Sequence, residues 1–153
     1  MQGGEQAFRY TFRVRYGECD GQKVVFNARY GEFVDFSTIE FMRAIGLTDE
    51  LAAGRFDYQL VKQTTEWKSS ARFDDVLEAR IATVAIGNTS FTLGVEFRVL
   101  GRDILVAKVE TVYVNVLPQV LTKAPVAAIV RAALERGAPG VWIDHAGVST
   151  LRA

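Results

Sequence analysis

One cysteine, one histidine and three prolines in 153 residues leave little room for several familiar chemistries. Cys19 alone cannot close an internal disulfide or build a cysteine metal cluster, and with His145 as the sole imidazole a tetrahedral zinc site is out of reach even with Asp144 beside it. No metal is expected. Neither sign of charge is in excess, because 18 basic side chains balance 18 acidic ones, and this removes the long-range field that nucleic acids or anionic membranes reward. Neither partner is expected. No apolar run approaches the ~18 residues that cross a bilayer, and the opening MQGGEQAFRY lacks the apolar centre of a signal peptide. The expected compartment is a reducing cytoplasm.

What the chain does have is apolar and aromatic surface: 49% of its residues are hydrophobic, with ten Phe, five Tyr and two Trp. A domain of this length hides that much only with difficulty. The expectation is one domain over residues 1–153 that associates with its own copies, as a homodimer at minimum and a homotetramer in solution.

Residues 8–16, FRYTFRVRY, alternate with period two, with Phe8, Tyr10, Phe12, Val14 and Tyr16 on one side and Arg9, Thr11, Arg13 and Arg15 on the other. This is a strand with one buried face. After GECDGQK the period changes, and Phe26, Tyr30, Phe33, Val34, Ser37, Phe41 and Ile45 follow helical steps. A helix over about 27–45 is predicted, with Asn27 as N-cap and Gly46 just past its end. Phe36, Ile39 and Met42 add apolar surface on its other sides, so it should be largely enclosed.

Beyond a loop at 47–57, the segments 58–73, 76–87, 90–100 and 103–116 read as long strands separated by breaks short enough for hairpins. A meander is expected. Residues 125–136, PVAAIVRAALER, read as a shorter helix with Pro125 at its first position and Gly137 after its end. The tail from Gly137 onward is mixed in character, and either frays or packs on a partner. The layout is α+β: a five-stranded, mostly antiparallel sheet curled round one long helix. An open sheet of that kind leaves edges for a second copy.

Chemistry concentrates in Tyr16–Phe36, YGECDGQKVVFNARYGEFVDF, where a carboxylate-bearing loop runs into the start of the buried helix. Free N–H groups at a helix start carry partial positive charge and can polarise a carbonyl. From residue types alone, an aspartate such as Asp20 in a glycine-containing loop is more often a turn or capping residue than a catalyst.

The run R-Y-G-E-C-D-G-Q-K-V-V-F-N-A-R-Y resembles the signature of the 4-hydroxybenzoyl-CoA thioesterase branch of the hotdog superfamily, roughly D-x-D-x-x-G-x-V-x-[HNY]-x-x-Y. W-K-S-S-A-R-F-D-D-V-L at 67–77 and G-N-T-S-F at 87–91 are similar to later segments of that family, so the resemblance runs through about 8–116. It implies a hotdog fold and hydrolysis of an acyl-CoA thioester to a carboxylic acid and coenzyme A. Coenzyme A belongs to the substrate, so no separate cofactor is implied. By position, Asp20 matches the family's catalytic aspartate, base for water or nucleophile; Asn27 matches the residue whose backbone N–H meets the thioester carbonyl; Tyr30 falls on the recurrent helix tyrosine. Tyr30, Phe33 and Val34 are then expected to line an acyl pocket, in a groove between two subunits.

Three departures from the signature stand out: Glu18 for the first Asp, Lys23 for the Gly, and Asn27 where His or Tyr is also common. Lys23 puts a side chain where the chain usually passes closest to substrate, so it either narrows the pocket or contacts the coenzyme. Glu66 is a candidate to face a neighbouring subunit's site, against the plainer reading of an exposed strand carboxylate. Asn88, Thr89 and Ser90 offer donors to pantetheine or phosphates, or form a plain hairpin turn. A Cys19–His145 nucleophilic pair would need a long-range coincidence. Alternatives are an acyl-carrier-protein thioesterase, a non-catalytic acyl-CoA-binding module, and a hotdog dehydratase, which would lack a histidine in the helix region.

Overall fold

The computed structural model describes residues 7–152; residues 1–6, read above for their lack of a signal-peptide centre, and Ala153 lie outside them. In chain order come β1 (Phe8–Arg13), a 3-10 turn at Tyr16–Glu18, α1 (Arg29–Ala44), α2 (Thr48–Ala52), β2 (Asp57–Trp67), β3 (Val76–Ile86), β4 (Ser90–Val99), β5 (Ile104–Val116), α3 (Ala128–Arg136), β6 (Trp142–Asp144) and a final 3-10 turn. The strands form one sheet in the order β2-β5-β4-β3-β1-β6. Every pairing is antiparallel except β1 with β6, which is parallel.

The period-3.6 pattern gives α1 its buried stripe: Phe33, Val34, Phe41 and Met42 are each at most 1% exposed and meet Phe12, Leu93 and Phe97 from the sheet. The stripe is fixed by its ends. Gly46 adopts φ 84°, its N–H donates to Arg43 O, and Leu47 N–H donates to Met42 O, a Schellman closure with buried Leu47 folding back over buried Met42. At the other end the expected cap is absent. Helix geometry begins at Arg29 with Ala28 in the capping position and no side-chain cap, so Asn27 lies just before the helix, and Phe26, expected on its buried face, is half exposed.

Other expectations are corrected. The sheet has six strands, not five, because the tail neither frays nor waits for a partner: Trp142–Asp144 adds to the edge of β1. It covers the outward face of β1, where Trp142 Nε1 donates to Thr11 Oγ1 (3.0 Å) and Thr11 Oγ1 donates to Asp144 Oδ1 (2.7 Å), so Thr11 is buried rather than exposed. Tyr16 is 81% exposed, since β1 ends at Arg13 and the 3-10 turn rotates it away from the core. The meander covers only β3, β4 and β5. β2 ends at Trp67 and pairs with β5, while residues 68–73 leave the sheet to brace the loop ahead of α1. The region expected as a loop at 47–57 contains α2, and the short helix starts at Ala128, three residues past Pro125.

Candidate active site

The connection from β1 to α1 is a braced hairpin. Val14 N–H donates to Asp75 O and Asp74 N–H to Val14 O, which pins the exit of β1 to the start of β3. After the 3-10 turn, residues 18–26 fold back on themselves: Cys19 pairs with Val25, Phe26 N–H donates to Glu18 O (3.0 Å), and Asp20 N–H donates to Val24 O (2.9 Å). The returning arm docks on the segment after β2 through the Val24–Arg72 bridge and a bond from Val25 N–H to Ala71 O.

Asp20 sits at the turn of this hairpin, partly exposed. Its Oδ1 accepts Gln22 N–H (2.8 Å) and its carbonyl accepts Lys23 N–H (2.9 Å), so it does shape the turn, as its residue type suggests. That uses one carboxylate oxygen. Among the described residues nothing donates to the other. Lys23 stands at φ 65°, the left-handed region that glycine occupies without cost, which gives a physical reason for the Gly in the usual signature. Its side chain is exposed and makes no salt bridge among the described residues.

The hairpin ends at the start of α1. Arg29 N–H donates to Phe26 O, but among the described residues the N–H groups of Asn27 and Ala28 donate to no backbone carbonyl, and both residues are exposed. These are outward-available donors at the positive end of a 16-residue helix. Tyr30 lies beneath them, 2% exposed, its ring 5.4 Å from Phe33, 6.0 Å from Phe97 and 6.4 Å from Trp67. Burial, then the nearby Cys19, pushes its hydroxyl up to about 12, so it stays neutral. Phe33 and Val34 are enclosed in the interface between helix and sheet.

Cys19 is a poor nucleophile here, because burial and then the carboxylates of Glu18 and Asp20 push its thiol upward and keep it protonated. His145 is engaged elsewhere: Nδ1 meets the Tyr10 hydroxyl at 2.9 Å and Nε2 lies 3.8 Å from Glu40. Among the described residues no three His, Cys, Asp or Glu side chains gather as a metal set.

One chain does not bring all the sequence candidates together. Glu66 points to the sheet face away from α1, pairs with Lys68 at 3.6 Å, and lines a cavity of about 390 Å³ with Lys62, Thr64, Lys108 and Glu110. Asn88, Thr89 and Ser90 form the β3–β4 turn, where Asn88 O accepts Val126 N–H and Thr89 O accepts Asn115 N–H. Ser90 is in register with Val114 and so with Gln59, whereas the hairpin abuts the Trp67 end of β2. Eight residues of strand, roughly 26 Å, separate those two ends. A larger cavity of about 710 Å³ lies between β3 and α3, lined by Phe8, Phe41 and Leu134 and remote in the fold from the hairpin. Cavity size in the single chain is therefore a poor guide, and the hairpin chemistry outweighs it.

Sequence patterning missed Gln63 and Trp67. A bulge between Leu60 and Lys62 resets the alternation of β2, so Gln63 and Trp67 face the helix: Gln63 donates to buried Thr111, its Oε1 approaches Gly31, and Trp67 meets Tyr30. The four large aromatic residues exposed among the described ones are Tyr16 in the 3-10 turn, Phe26 in the hairpin, Trp67 at the end of β2 and Phe73 in the segment that follows it. Tyr16 and Phe26 lie in the Tyr16–Phe36 motif, whereas Trp67 and Phe73 are distant from it in sequence and are brought to it by the fold.

Comparison with known proteins identifies the family and the fold. The family model of the Thioesterase-like superfamily matches residues 14–134. The chain is 32% identical over 84 residues to the acyl-CoA thioester hydrolase YbgC of Escherichia coli, a match spanning 54% of this chain but only 63% of that protein. Among solved structures, a gentisyl-coenzyme A thioesterase, BH1999, superposes with a TM-score of 0.72 at 26% identity, covering 83% of this chain and 98% of that one. A thioesterase-superfamily protein from Jannaschia sp. CCS1 gives a TM-score of 0.79 at 19% identity, covering 91% and 99%, a likeness of fold. A hairpin carrying a half-free aspartate into an uncapped helix, on a sheet of this order, and a family match across most of the chain lead to one assignment: the chain belongs to the thioesterase-like superfamily, with the hotdog fold.

Proposed function

We propose that this protein hydrolyses an acyl-CoA thioester to the free acid and coenzyme A, with Asp20 as the catalytic carboxylate. The observation that carries this reading is the pairing, by one short hairpin, of a carboxylate oxygen that has no donor among the described residues with helix-start amides that have no acceptor among them. The thioester carbonyl oxygen takes the amides of Asn27 and Ala28, which stabilise the negative charge that develops on it. Asp20 either removes a proton from water that attacks the carbonyl carbon, or attacks directly to give a mixed anhydride that water cleaves. In both routes the C–S bond breaks and coenzyme A leaves as the thiol. The names of the relatives above support a coenzyme A carrier, and the exposed aromatic rim of Tyr16, Phe26, Trp67 and Phe73 suits an apolar acyl group. Lys23, at the mouth of the same turn, contacts the substrate rather than the core.

The groove is completed by a second copy. β2 is an edge strand with Leu60, Val61 and Trp67 half exposed. Antiparallel pairing of two β2 strands sets the Gln59 end of one against the Trp67 end of the other. That brings the Asn88–Ser90 turn of one subunit toward the hairpin of its partner, so the coenzyme lies across the subunit boundary and the acyl group enters between Tyr30 and the partner's edge, with Phe33 and Val34 behind it.

The test is turnover of aliphatic and aromatic acyl-CoAs followed with a thiol-detecting reagent. Wild type should release thiol, and Asp20→Asn, which keeps the Gln22 hydrogen bond but removes the charge, should lower kcat by about 10²-fold or more while binding persists. Wild-type turnover by folded Asp20→Asn would remove the mechanism. Absence of turnover by wild type across the panel would leave a binding module.

A further inference from the structure

We infer that Glu18 is a positioning residue that sets the register between the Asp20 carboxylate and the helix-start amides. It rests on the reading of Asp20 and the Asn27–Ala28 amides given above. Glu18 is 4% exposed, a rare location for a carboxylate unless it is fully partnered. Among the described residues its carboxylate is partnered by one residue: Oε1 accepts Arg15 N–H (2.7 Å), and Oε2 accepts Arg15 Nε (3.2 Å) and Nη2 (2.8 Å). The Arg15 side chain is itself 73% exposed, so the buried member of the pair is the acid. Glu18 thus closes the 3-10 turn that carries the chain from β1 into the hairpin.

Its backbone does the second half of the work. Glu18 O accepts Phe26 N–H, and Phe26 immediately precedes the two amides that have no acceptor among the described residues. Two residues further along its own arm lies Asp20. One residue therefore anchors both arms of the hairpin, the one bearing the carboxylate and the one leading to the oxyanion donors. The arms are joined besides by Asp20 N–H to Val24 O and the Cys19–Val25 bridge, the returning arm is held by Ala71 and Arg72, and Arg29 Nη2 reaches Gly17 O (3.3 Å); the Glu18 bond is the one that ends on the residue adjoining the helix-start amides. The backbone bonds between the arms survive loss of the Glu18 carboxylate, but the 3-10 turn that it clamps to Arg15 is loosened, and the incoming arm with Asp20 shifts relative to the helix start. Displacements near 1 Å at a reacting centre cost on the order of 10²-fold in rate.

The substitution Glu18→Gln is near-isosteric, keeps an acceptor for Arg15 N–H, and removes the charge from the guanidinium contact. The expected result is a fall in kcat of about 10-fold or more with KM within about 2-fold. Glu18→Asp, which restores the charge, should recover part of that loss. The decisive measurement is a double-mutant cycle with Asp20→Asn, read by single-turnover thiol release. A residue that acts through Asp20 costs little once Asp20 is neutralised, so Glu18→Gln should lower the rate of Asp20→Asn by less than about 2-fold. Equal losses in both backgrounds would mean a general structural role and would overturn the inference, as would wild-type kcat in Glu18→Gln. If Asp20→Asn alone were fully active, the mechanism itself would have failed, a distinct outcome. Arg15→Gln, altering the exposed partner, provides a variant less prone to misfolding, and should shift kcat in the same direction.

Discussion

Lys23 carries a cost that its neighbours do not share. A non-glycine residue at φ 65° stores about 1–2 kcal/mol of backbone strain, and the exposed side chain makes no ion pair among the described residues to offset it. Lys23→Gly should therefore raise stability by on the order of 1 kcal/mol in urea titration, after allowance for the freedom glycine gives the unfolded chain. If its amine contacts substrate, the same variant should raise KM; a stabilised variant with unchanged KM would assign Lys23 to neither pocket nor coenzyme. At this scale the sequence was informative where chemistry is local. Asp20, Asn27 and Tyr30 lie in one continuous motif, and the hairpin that joins them is set by bonds between residues close in sequence. Gln63 and Trp67 were hidden because their facing depends on a bulge in β2, and pairing with β5 across more than forty residues decides where that bulge falls.

Among elements, α1 was readable because its stripe and its Gly46 stop are written in neighbouring residues, whereas β6 was not. Three residues carry no periodicity, and their place is decided by side chains: Arg9 stacks over Trp142 at 4.6 Å, and Asp144 collects the Thr11 hydroxyl, the amides of Ala146, Gly147 and Ser149, and the Ser149 hydroxyl. Burial opposes the charge on Asp144, but the bonds from Ser149, Thr11 and Ala146 outweigh it and hold the carboxyl well below the usual carboxylate range. A group with a depressed folded pKa adds stability that is complete above its unfolded value, near 4, and is lost as pH falls through the folded value. Wild type should lose stability more steeply below about pH 4 than Asp144→Asn. Chemical denaturation at several acid pH values reads this directly, and parallel slopes would mean the tail is undocked in solution.

For the whole molecule, the tail changes what association can look like. With β6 covering β1, the sheet keeps a single long open edge, β2, so pairing through it closes a two-fold dimer instead of propagating a fibre. The outward face offers a different surface, a transverse ladder of Glu66, Lys108, Glu96 and Arg80 in mutual register, which is charged and not apolar. A dimer of dimers built there would depend on charge pairs that salt screens, with a Debye length near 10 Å at 0.1 M and about 3 Å at 1 M, whereas the proposed β2 junction would depend on backbone bonds and on Leu60 and Val61. Light scattering at micromolar concentration should therefore give twice or four times the 17.0 kDa chain mass at low salt, and twice that mass at 1 M salt. Val61→Asp on the free edge should dissociate the proposed dimer and lower kcat/KM by at least about 10-fold with Asp20 untouched, since the proposed groove would lose its second wall. A wild-type protein that scatters as a 17.0 kDa monomer while turning over acyl-CoA would show that the site is complete within one chain and that the exposed edge serves some other contact.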